Sequence, residues 1–597
     1  MDVGTSTEMN PPAAPATQDG KRTPPRLGRR QGEWLRRQDP QRIGLVLLIL
    51  AMIGAAGLIF WLERGTTYMS DEWGWINFAG QGSIGDMFRP LNQHLSVLVL
   101  LLTKLGLSLW GTAGAFLPFK IMEVAGVLAC GGLVYAFARP RVGPLIALAP
   151  AMVPMYLGTA TVILLQPLIG LQVLYSIGFG IGAFVALDRQ SRRGDVAACL
   201  LVVLSLASFS IGIAFLAGVA VSVLLSPERA RRAFVFLIPA LLYGAWRIWA
   251  NKYGTSGGPE LANVPAVPFY YIDSVATSTT ALFGLSPLIG AGPGTSLFLE
   301  GFRFEQATIA FVFAMLEVAF VVFAARRLGP RQTASVTFWA MLTVLLTLWT
   351  IQGLVLVAGR TPGEARYIYP GVIAMALLVV EAVRRVRFSP FAITLVLGLT
   401  IVGIIGNLPR FNYGRNLIEN LAPRTLAYTG LMDLVGPAHA DPEYIVSYDT
   451  PNAEGAGALS IPVSTYDEIS ARSGPLGDSP AEILEKPDEI REGADEVLVR
   501  MLQLGLTPAS ASDGKRCKAL GANAADDGTT LPPGGAVLRA NGETPVLLRR
   551  FGPRSEIEVG RLEAGRPSRL RIPQDSETEQ IPWIVSTPKP AALAICR

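Results

Sequence analysis

The chain has 597 residues, of which 50% are apolar and only 16% are charged, and its mean hydropathy is +0.40. Soluble proteins carry about 25% charged residues. The apolar residues of this chain are clustered in nearly uncharged runs such as 43–62 and 389–406. Each run approaches the ~20 residues that a helix needs to cross a bilayer. The composition therefore excludes an ordinary soluble protein and predicts a polytopic α-helical protein embedded in a lipid bilayer.

The basic balance of the chain, with a net charge of +5 and a pI near 9.0, does not indicate a nucleic-acid partner. The basic residues lie in short clusters between the apolar runs, and this pattern is typical of loops on the cytoplasmic side. We therefore expect no nucleic acid among the partners, and the clusters serve to orient the chain.

Residues 1–42 are rich in Pro and Arg, show no apolar periodicity and are predicted to form a disordered cytoplasmic tail. A transmembrane domain over 43–407 follows, and about eleven crossings place its basic clusters inside. The predicted spans are 43–62, 116–138, 143–158, 163–187, 196–209, 211–226, 233–250, 304–325, 333–357, 367–383 and 389–407. We expect a multi-pass protein of the plasma membrane, with a cytoplasmic N-terminus and an outer C-terminus.

The run 92–110 could form a twelfth span, but counting it as one would place Arg139 and Arg141 outside. We interpret it as a re-entrant or interfacial helix on the outer side, where Lys104 and Trp110 suit an interface. The first outer loop then covers 63–115.

Residues 408–597 are predicted to form an extracytoplasmic, mostly β domain. Alternating patterns at 443–448, 545–551 and 568–573 indicate short strands, and some helix is expected near 480–505. Cys517 and Cys596 are the only cysteines of this region. A cysteine pair confined to one extracytoplasmic domain predicts a disulfide.

Two adjacent acids, Asp71 and Glu72, open the first outer loop. One explanation is helix capping, since Ser70 is a good N-cap and acids in a first turn favour the helix dipole. The chemical explanation is a catalytic carboxylate at the membrane surface. Asp71 would then remove a proton from an acceptor hydroxyl, and Glu72 would help to orient the site.

Basic residues in the outer loops are candidates for binding phosphate. Arg suits phosphate geometrically, although interfacial Arg and Tyr are also ordinary membrane anchors. The candidates are Arg89 with the nearby His94, Arg360 and Arg366 around Glu364, and Lys252 with Tyr253. There is no P-loop, no GxGxxG after a strand, no CxxC pair and no His-rich cluster. No cofactor and no metal centre is therefore predicted, and a divalent cation at the acidic pair is left open.

In this order of elements the chain resembles the GT-C superfamily of membrane glycosyltransferases. The resemblance rests on a first span, the acidic pair Asp71-Glu72, the element Phe88-Arg89-Pro90, a short apolar helix ending in Leu-Trp-Gly at 109–111, and a span that closes with Arg139-Pro-Arg141. Bacterial transferases of aminoarabinose or mannose show this order. A membrane half followed by an outer, partly β domain is also similar to the arabinofuranosyltransferases of actinobacterial cell-wall assembly.

The resemblance implies transfer of a sugar, arabinofuranose or mannose, from a polyprenyl-phosphate donor to a hydroxyl of a cell-envelope glycan, with inversion. Asp71 would be the general base beside Glu72. The residues expected at the donor phosphate are Arg89, Arg366, Arg360 and Lys252. The further residues expected at the substrates are His94, Asn92, Trp73 and Tyr367.

Two other functions stay open from the sequence. A lipid or glycan transporter would show repeats or ionisable residues at mid-membrane depth, and Glu123, Glu317 and Glu381 are among the acids that the predicted spans contain. A non-catalytic envelope assembly protein could keep the same architecture.

Overall fold

The structure, a computed structural model, describes most of the transmembrane region and of the C-terminal domain. The described residues are 39–69, 71–254, 259–285, 312, 315, 319, 335–355, 361–448, 459–510, 517–519, 528–575, 581–588 and 593–596. Nearly all of the predicted tail, most of the span predicted over 304–325 and the candidate Arg360 lie outside these ranges.

Helices make up the N-terminal two thirds of the described chain. They are α1 (Pro40–Leu62), α2 (Glu72–Gln81), α3 (Val97–Val142), α4 (Leu148–Tyr156), α5 (Thr161–Leu165), α6 (Pro167–Leu187), α7 (Arg192–Ser208), α8 (Gly212–Leu224), α9 (Arg229–Arg232), α10 (Phe234–Ala250), α11 (Val267–Leu282), α12 (Val336–Leu354), α13 (Ala365–Ala382) and α14 (Pro390–Val435). Among the described residues, seven helical stretches are long and apolar enough to cross a membrane: α1, α3, α6, residues 229–253, α12, α13 and α14. This confirms a mainly helical protein suited to a bilayer.

Helix α3 is bent at Gly111, where φ is 70° and ψ is −178°. Side chains with a Cβ rarely adopt this conformation, so glycine permits the bend. Glycine also allows a close approach, because a Cβ at Gly111 would lie 2.6 Å from the carbonyl oxygen of Ser473. The bend divides α3 near the boundary predicted between 92–110 and 116–138.

Three of the predicted spans correspond to short helices. Helix α4 covers 9 residues of the run 143–158, about 14 Å of helix against a bilayer core of about 30 Å. Pro154 lies inside α4, and the chain continues as a 3-10 turn after Leu157. Helices α7 and α8, with 17 and 13 residues, are likewise below the usual spanning length.

Helix α14 extends well beyond the end at 407 that the sequence predicts. The hydroxyl of Ser389 accepts a hydrogen bond from the Ala392 N–H and caps its first turn. The helix then continues for 46 residues, about 69 Å, and ends at Gly436, whose φ is 69°. Its C-terminal part carries buried apolar residues such as Leu431 and Met432 that join the core of the C-terminal domain.

The C-terminal domain combines three helices with antiparallel sheets. The helices are α15 (Val463–Ser473), α16 (Pro480–Leu484) and α17 (Asp488–Met501). The strands are β1 (Ile445–Tyr448), β2 (Leu459–Pro462), β3 (Leu506–Pro508), β4 (Cys517–Ala519), β5 (Thr529–Thr530), β6 (Gly535–Ala540), β7 (Thr544–Arg549), β8 (Ile557–Leu562), β9 (Ser568–Arg571), β10 (Ile584–Ser586) and β11 (Leu593–Cys596). They form a pair β1-β2, a four-stranded sheet β5-β10-β7-β8 and a five-stranded sheet β3-β9-β6-β11-β4. The three strand patterns and the helical region near 480–505 predicted from the sequence are therefore present.

The predicted disulfide joins Cys517 and Cys596 across two neighbouring strands. The two residues are direct cross-strand partners of β4 and β11, and their Cα atoms are 3.9 Å apart. This bond ties the last strand of the chain to the edge of the five-stranded sheet.

The first loop and the C-terminal domain share one apolar core. The ring of Trp73 contacts the ring of Tyr466 in α15 edge to face, at a centroid distance of 6.0 Å. The Tyr466 hydroxyl donates to Asp433 of α14 over 2.7 Å, and Ser470 donates to the same carboxylate over 3.0 Å. Helix α15 is thus fixed between the first loop and the long helix α14.

Candidate active site in the first loop

Glu72 is the first residue of α2, and its side chain is completely buried. Its two carboxylate oxygens accept hydrogen bonds from the backbone N–H of Met69, over 3.0 Å, and of Leu168, over 2.9 Å. Leu168 lies in the first turn of α6, where unpaired N–H groups and the helix dipole favour a negative charge. Glu72 therefore joins the start of α2 to the start of a membrane helix.

Burial dominates the electrostatics of Glu72. It raises the pKa of this carboxyl to about 8, although the two backbone N–H donors act in the opposite direction. Low polarity disfavours the charged form, whereas hydrogen bonds to the carboxylate favour it. The carboxyl group of Glu72 therefore keeps its proton to a higher pH than an exposed glutamate does.

Asp71 differs from its neighbour in exposure. It occupies the N-cap position of α2, is solvent-exposed, and makes no hydrogen bond that caps the helix. The Asp71 side chain therefore does not cap α2 through a hydrogen bond. The capping explanation named Ser70, which lies outside the described residues, so it stays open. The structure presents one exposed carboxylate on a segment fixed by a buried one.

Buried aromatic side chains pack against this segment. Tyr68 is fully buried, and its hydroxyl donates to the Thr112 carbonyl beside the bend of α3 over 2.9 Å. Trp73 is only 2% exposed and lies between the rings of Tyr68 and Tyr466. Trp73, predicted at the substrates, thus lies in the contact with the C-terminal domain.

The end of α2 is held by Lys104 from the segment 97–110. Its ammonium group donates to the carbonyl oxygens of Ala79 and Gly82, over 3.1 and 2.7 Å. These carbonyls lie at the C-terminal end of α2, where a cation is favourable. Lys104, expected at an interface from the sequence, has this definite partner.

Arg89 and Lys252, two of the predicted phosphate ligands, lie at the same aromatic ring. The guanidinium carbon of Arg89 is 5.3 Å from the centre of the Tyr253 ring, and the Lys252 ammonium is 4.9 Å from it. Arg89 is also paired with Asp86 over 2.7 Å. The indole N–H of Trp246 donates to the Phe88 carbonyl over 2.8 Å. Helix α10 thereby positions the loop that carries Arg89.

The other predicted residues are distributed over two places. Asn92 is exposed in a tight turn with φ 46°, and the ring of His94 lies 4.3 Å from that of Phe209. Arg366 lies on α13, 5.4 Å from the ring of its neighbour Tyr367, and its Nε has no hydrogen-bond partner among the residues that the structure describes. The structure places Arg366 and Tyr367 on a different element from Arg89 and Lys252.

Sequence reasoning missed the partners that organise this site. Leu168, which donates to Glu72, is 96 residues away in the chain, and no local pattern marks its N–H. Glu123 is among the acids named above for the predicted spans, but Lys120 was missed, although the two are charged residues at helical spacing inside the predicted span 116–138. Both are buried close to the end of α1.

Within the described part of the chain, no three His, Cys, Asp or Glu side chains are grouped so that they could hold a metal ion. Comparison of the sequence with protein-family models and curated proteins, and of the structure with solved structures, finds no match. The function must therefore be argued from the site itself.

Proposed function

We propose that this protein is a membrane glycosyltransferase of the GT-C kind, with Asp71 as the general base. The observation that carries the proposal is the contrast at the start of α2. Asp71 is exposed and does not cap the helix, while Glu72 is buried and bonded to two backbone N–H groups. A base needs access to its substrate and a fixed position, and this pair supplies both.

The donor in this proposal is arabinofuranose or mannose on a polyprenyl phosphate, and the acceptor is a hydroxyl of an envelope glycan. Asp71 accepts the proton of that hydroxyl, whose oxygen attacks the anomeric carbon as the bond to the lipid phosphate breaks. The phosphate leaves as an anion, and the positive charges of Arg89 and Lys252 stabilise it. Their shared position at Tyr253 supports this role.

The proposed orientation has a cytoplasmic N-terminus, about eleven crossings, and an extracytoplasmic C-terminal domain in the plasma membrane. Single cysteines at the exposed positions Ile84 and Glu485 test it with a membrane-impermeant thiol reagent. Both variants should label in intact cells, and the buried Cys130 and Cys199 should not. Labelling of Ile84→Cys only after lysis would overturn this orientation.

The decisive experiment is sugar transfer by purified Asp71→Asn protein from a radiolabelled polyprenyl-phosphate sugar. Asparagine keeps the size of the side chain but cannot accept the proton, so we expect a loss of ~10²–10⁴-fold in rate. Glu260→Gln, which neutralises an exposed acid in the other outer loop, is the matched control and should keep the wild-type rate. Transfer by Asp71→Asn at the wild-type rate would exclude Asp71 as the base.

A transporter of lipid or glycan is the second candidate, and the buried Glu63, Lys120 and Glu123 favour it. Ionisable groups within a membrane domain commonly mark a transport or proton pathway. Reconstituted protein distinguishes the two functions. Movement of a labelled polyprenyl lipid between leaflets, driven by a pH gradient and without sugar transfer, would favour the transporter.

A further inference from the structure

A second group of ionisable side chains lies buried behind the candidate active site. Glu63 follows directly after α1 and is 1% exposed, while Lys120 and Glu123 of α3 are 7% and 0% exposed. The Lys120 ammonium lies 3.4 Å from a carboxylate oxygen of Glu63 and donates to the Glu63 backbone carbonyl over 2.6 Å. The Glu63 and Glu123 carboxyl groups lie within hydrogen-bonding reach of each other.

These two carboxyl groups have few other partners. Apart from the ion pair of Glu63 with Lys120, no protein donor among the described residues hydrogen-bonds to any of their four oxygens. Glu123 points toward Gly170 of α6, where any Cβ would collide with the carboxyl group and with the Ile163 carbonyl. The absence of a side chain at Gly170 thus makes room for a buried carboxyl group that the protein leaves without a donor.

The balance of charges among Glu63, Glu123 and Lys120 indicates what binds between the two carboxyl groups. Two buried carboxylates with one ammonium would leave one uncompensated negative charge, which is strongly unfavourable in a low-dielectric interior. Two carboxylates also cannot hydrogen-bond to each other unless a proton lies between them. One proton satisfies both conditions, because it neutralises the excess charge and supplies the missing donor.

We propose that Glu63, Glu123 and Lys120 form a binding site for one exchangeable proton in the membrane half of the protein. The other titratable groups that face it are Glu72 from α2 and Tyr369 from α13. Glu72 has its own two N–H donors, and the Tyr369 hydroxyl donates to the Pro154 carbonyl over 2.8 Å. Neither group therefore supplies the missing hydrogen-bond donor between Glu63 and Glu123.

The position of the proton site links it to the segment that carries Asp71. Glu63 lies just before the segment 66–71 that ends at Asp71, and its backbone carbonyl accepts a hydrogen bond from the Thr66 hydroxyl over 2.8 Å. Loss of the proton would leave two like charges in contact and push the end of α1 away from α3. Burial raises the pKa of Glu63 to about 7, so near neutral pH the site passes from two protons to the single shared proton. The inference concerns proton binding alone and does not depend on sugar transfer.

The test has two readouts on the purified full-length protein at neutral pH. Infrared spectroscopy reports the C=O stretch of protonated carboxyl groups. Dicyclohexylcarbodiimide, an apolar reagent, modifies protonated carboxyl groups in membranes, and mass spectrometry locates the adduct. We expect the wild-type protein to carry the adduct at Glu123 or Glu63. Glu381 should stay unmodified, because its carboxylate is paired with Arg141 and Arg384.

Isosteric glutamine variants of Glu63 and Glu123 test the charge balance of the proton site. Glu63→Gln and Glu123→Gln each leave one acid beside one base, so the remaining acid should ionise. Since one unit of pKa is a tenfold change in the protonated fraction, we expect the adduct at the remaining acid to fall by at least ~10-fold. The infrared band should fall with it. Lys120→Met should have the opposite effect, because two acids without a base both keep their protons.

Three outcomes would overturn the proposal. The first is a wild-type protein without the adduct and without a change of the infrared band in Glu63→Gln. The second is an undiminished adduct in both glutamine variants. The third is protection of the wild-type site by sodium ions but not by choline, which would assign the place to a monovalent cation.

Discussion

Two charge clusters lie about 30 Å apart along α3, and they differ in their balance. The first, named the outer cluster after the proposed orientation, has two buried acids, Glu63 and Glu123, and one buried base, Lys120. The second, named the inner cluster, has a buried pair, Arg141 and Glu381, and two exposed members, Arg384 and Asp188. Arg141 donates to both oxygens of Asp188, over 2.8 and 3.0 Å, and is also paired with Glu381.

This difference distinguishes a network that holds helices together from a site that binds a ligand. In the inner cluster each Glu381 oxygen has a partner, and Ser335 donates to one of them over 2.8 Å. Such a network is complete without a ligand and holds helices together. The outer cluster is incomplete, and this is the reason to infer a proton there. The inner cluster also joins α3, α6 and α13 at one end, where the sequence predicts that their basic termini share a side.

The largest expected effect comes from breaking the inner cluster. Arg141→Leu leaves Glu381 buried without its main partner, and removal of one member of a buried ion pair costs ~3–5 kcal/mol. We expect a large loss in the free energy of unfolding, measured by thermal or denaturant unfolding in detergent micelles.

Lys120→Met is the matched variant in the outer cluster. There, protonation of both acids can replace the lost base, so its cost at neutral pH should be clearly smaller than that of Arg141→Leu. Equal losses for the two variants would contradict the distinction between a balanced and an unbalanced cluster.

Local patterns predict the elements of this fold well. The run 43–62 corresponds to α1, the alternation at 545–551 to β7, and the cysteine pair to the disulfide. In each case the information lies in hydropathy, side-chain periodicity or compartment, all of which act within a short stretch of chain. Helix α14 shows the limit. Its apolar run ends near 407, but packing on the C-terminal domain stabilises the polar continuation to Val435.

The sequence predicts which residues belong to the candidate site, but not which of them are exposed or what they contact. Asp71 and Glu72 are adjacent residues that both carry a carboxyl group, and nothing in the neighbouring sequence shows that one is exposed and the other buried. That distinction depends on the N–H of Leu168 and on a helix start 96 residues away. Glu63 and Lys120, 57 residues apart, show the same limit, because the balance of a cluster is a property of the folded chain.

The pH dependence of stability tests the buried state of Glu72. The pKa of Glu72 rises from 4.5 to about 8 on folding, so the folded protein binds more protons than the unfolded chain between these values. Stability from this group is then complete below about pH 4.5 and is lost as the pH rises toward 8. Glu72→Gln cannot ionise, so its unfolding free energy should decline less steeply from pH 5 to 8 than that of the wild type. Parallel pH curves for the two proteins would contradict the assignment.

The smallest effect is expected at a third buried pair, which is balanced but has only two members. Arg232 donates from Nε and Nη2 to the Asp195 carboxylate, with distances between 2.7 and 3.1 Å, and joins α9 to α7. Arg232→Lys keeps the charge but loses the planar fork, so one hydrogen bond of the pair is lost. We expect a loss of about 1 kcal/mol in the free energy of unfolding, because the charge balance is intact. Arg232→Leu removes the charge and should cost more, toward the Arg141→Leu value. If Arg232→Lys were as harmful as Arg232→Leu, hydrogen-bond geometry and not charge balance would govern these buried pairs, and the charge argument for the proton site would lose its basis.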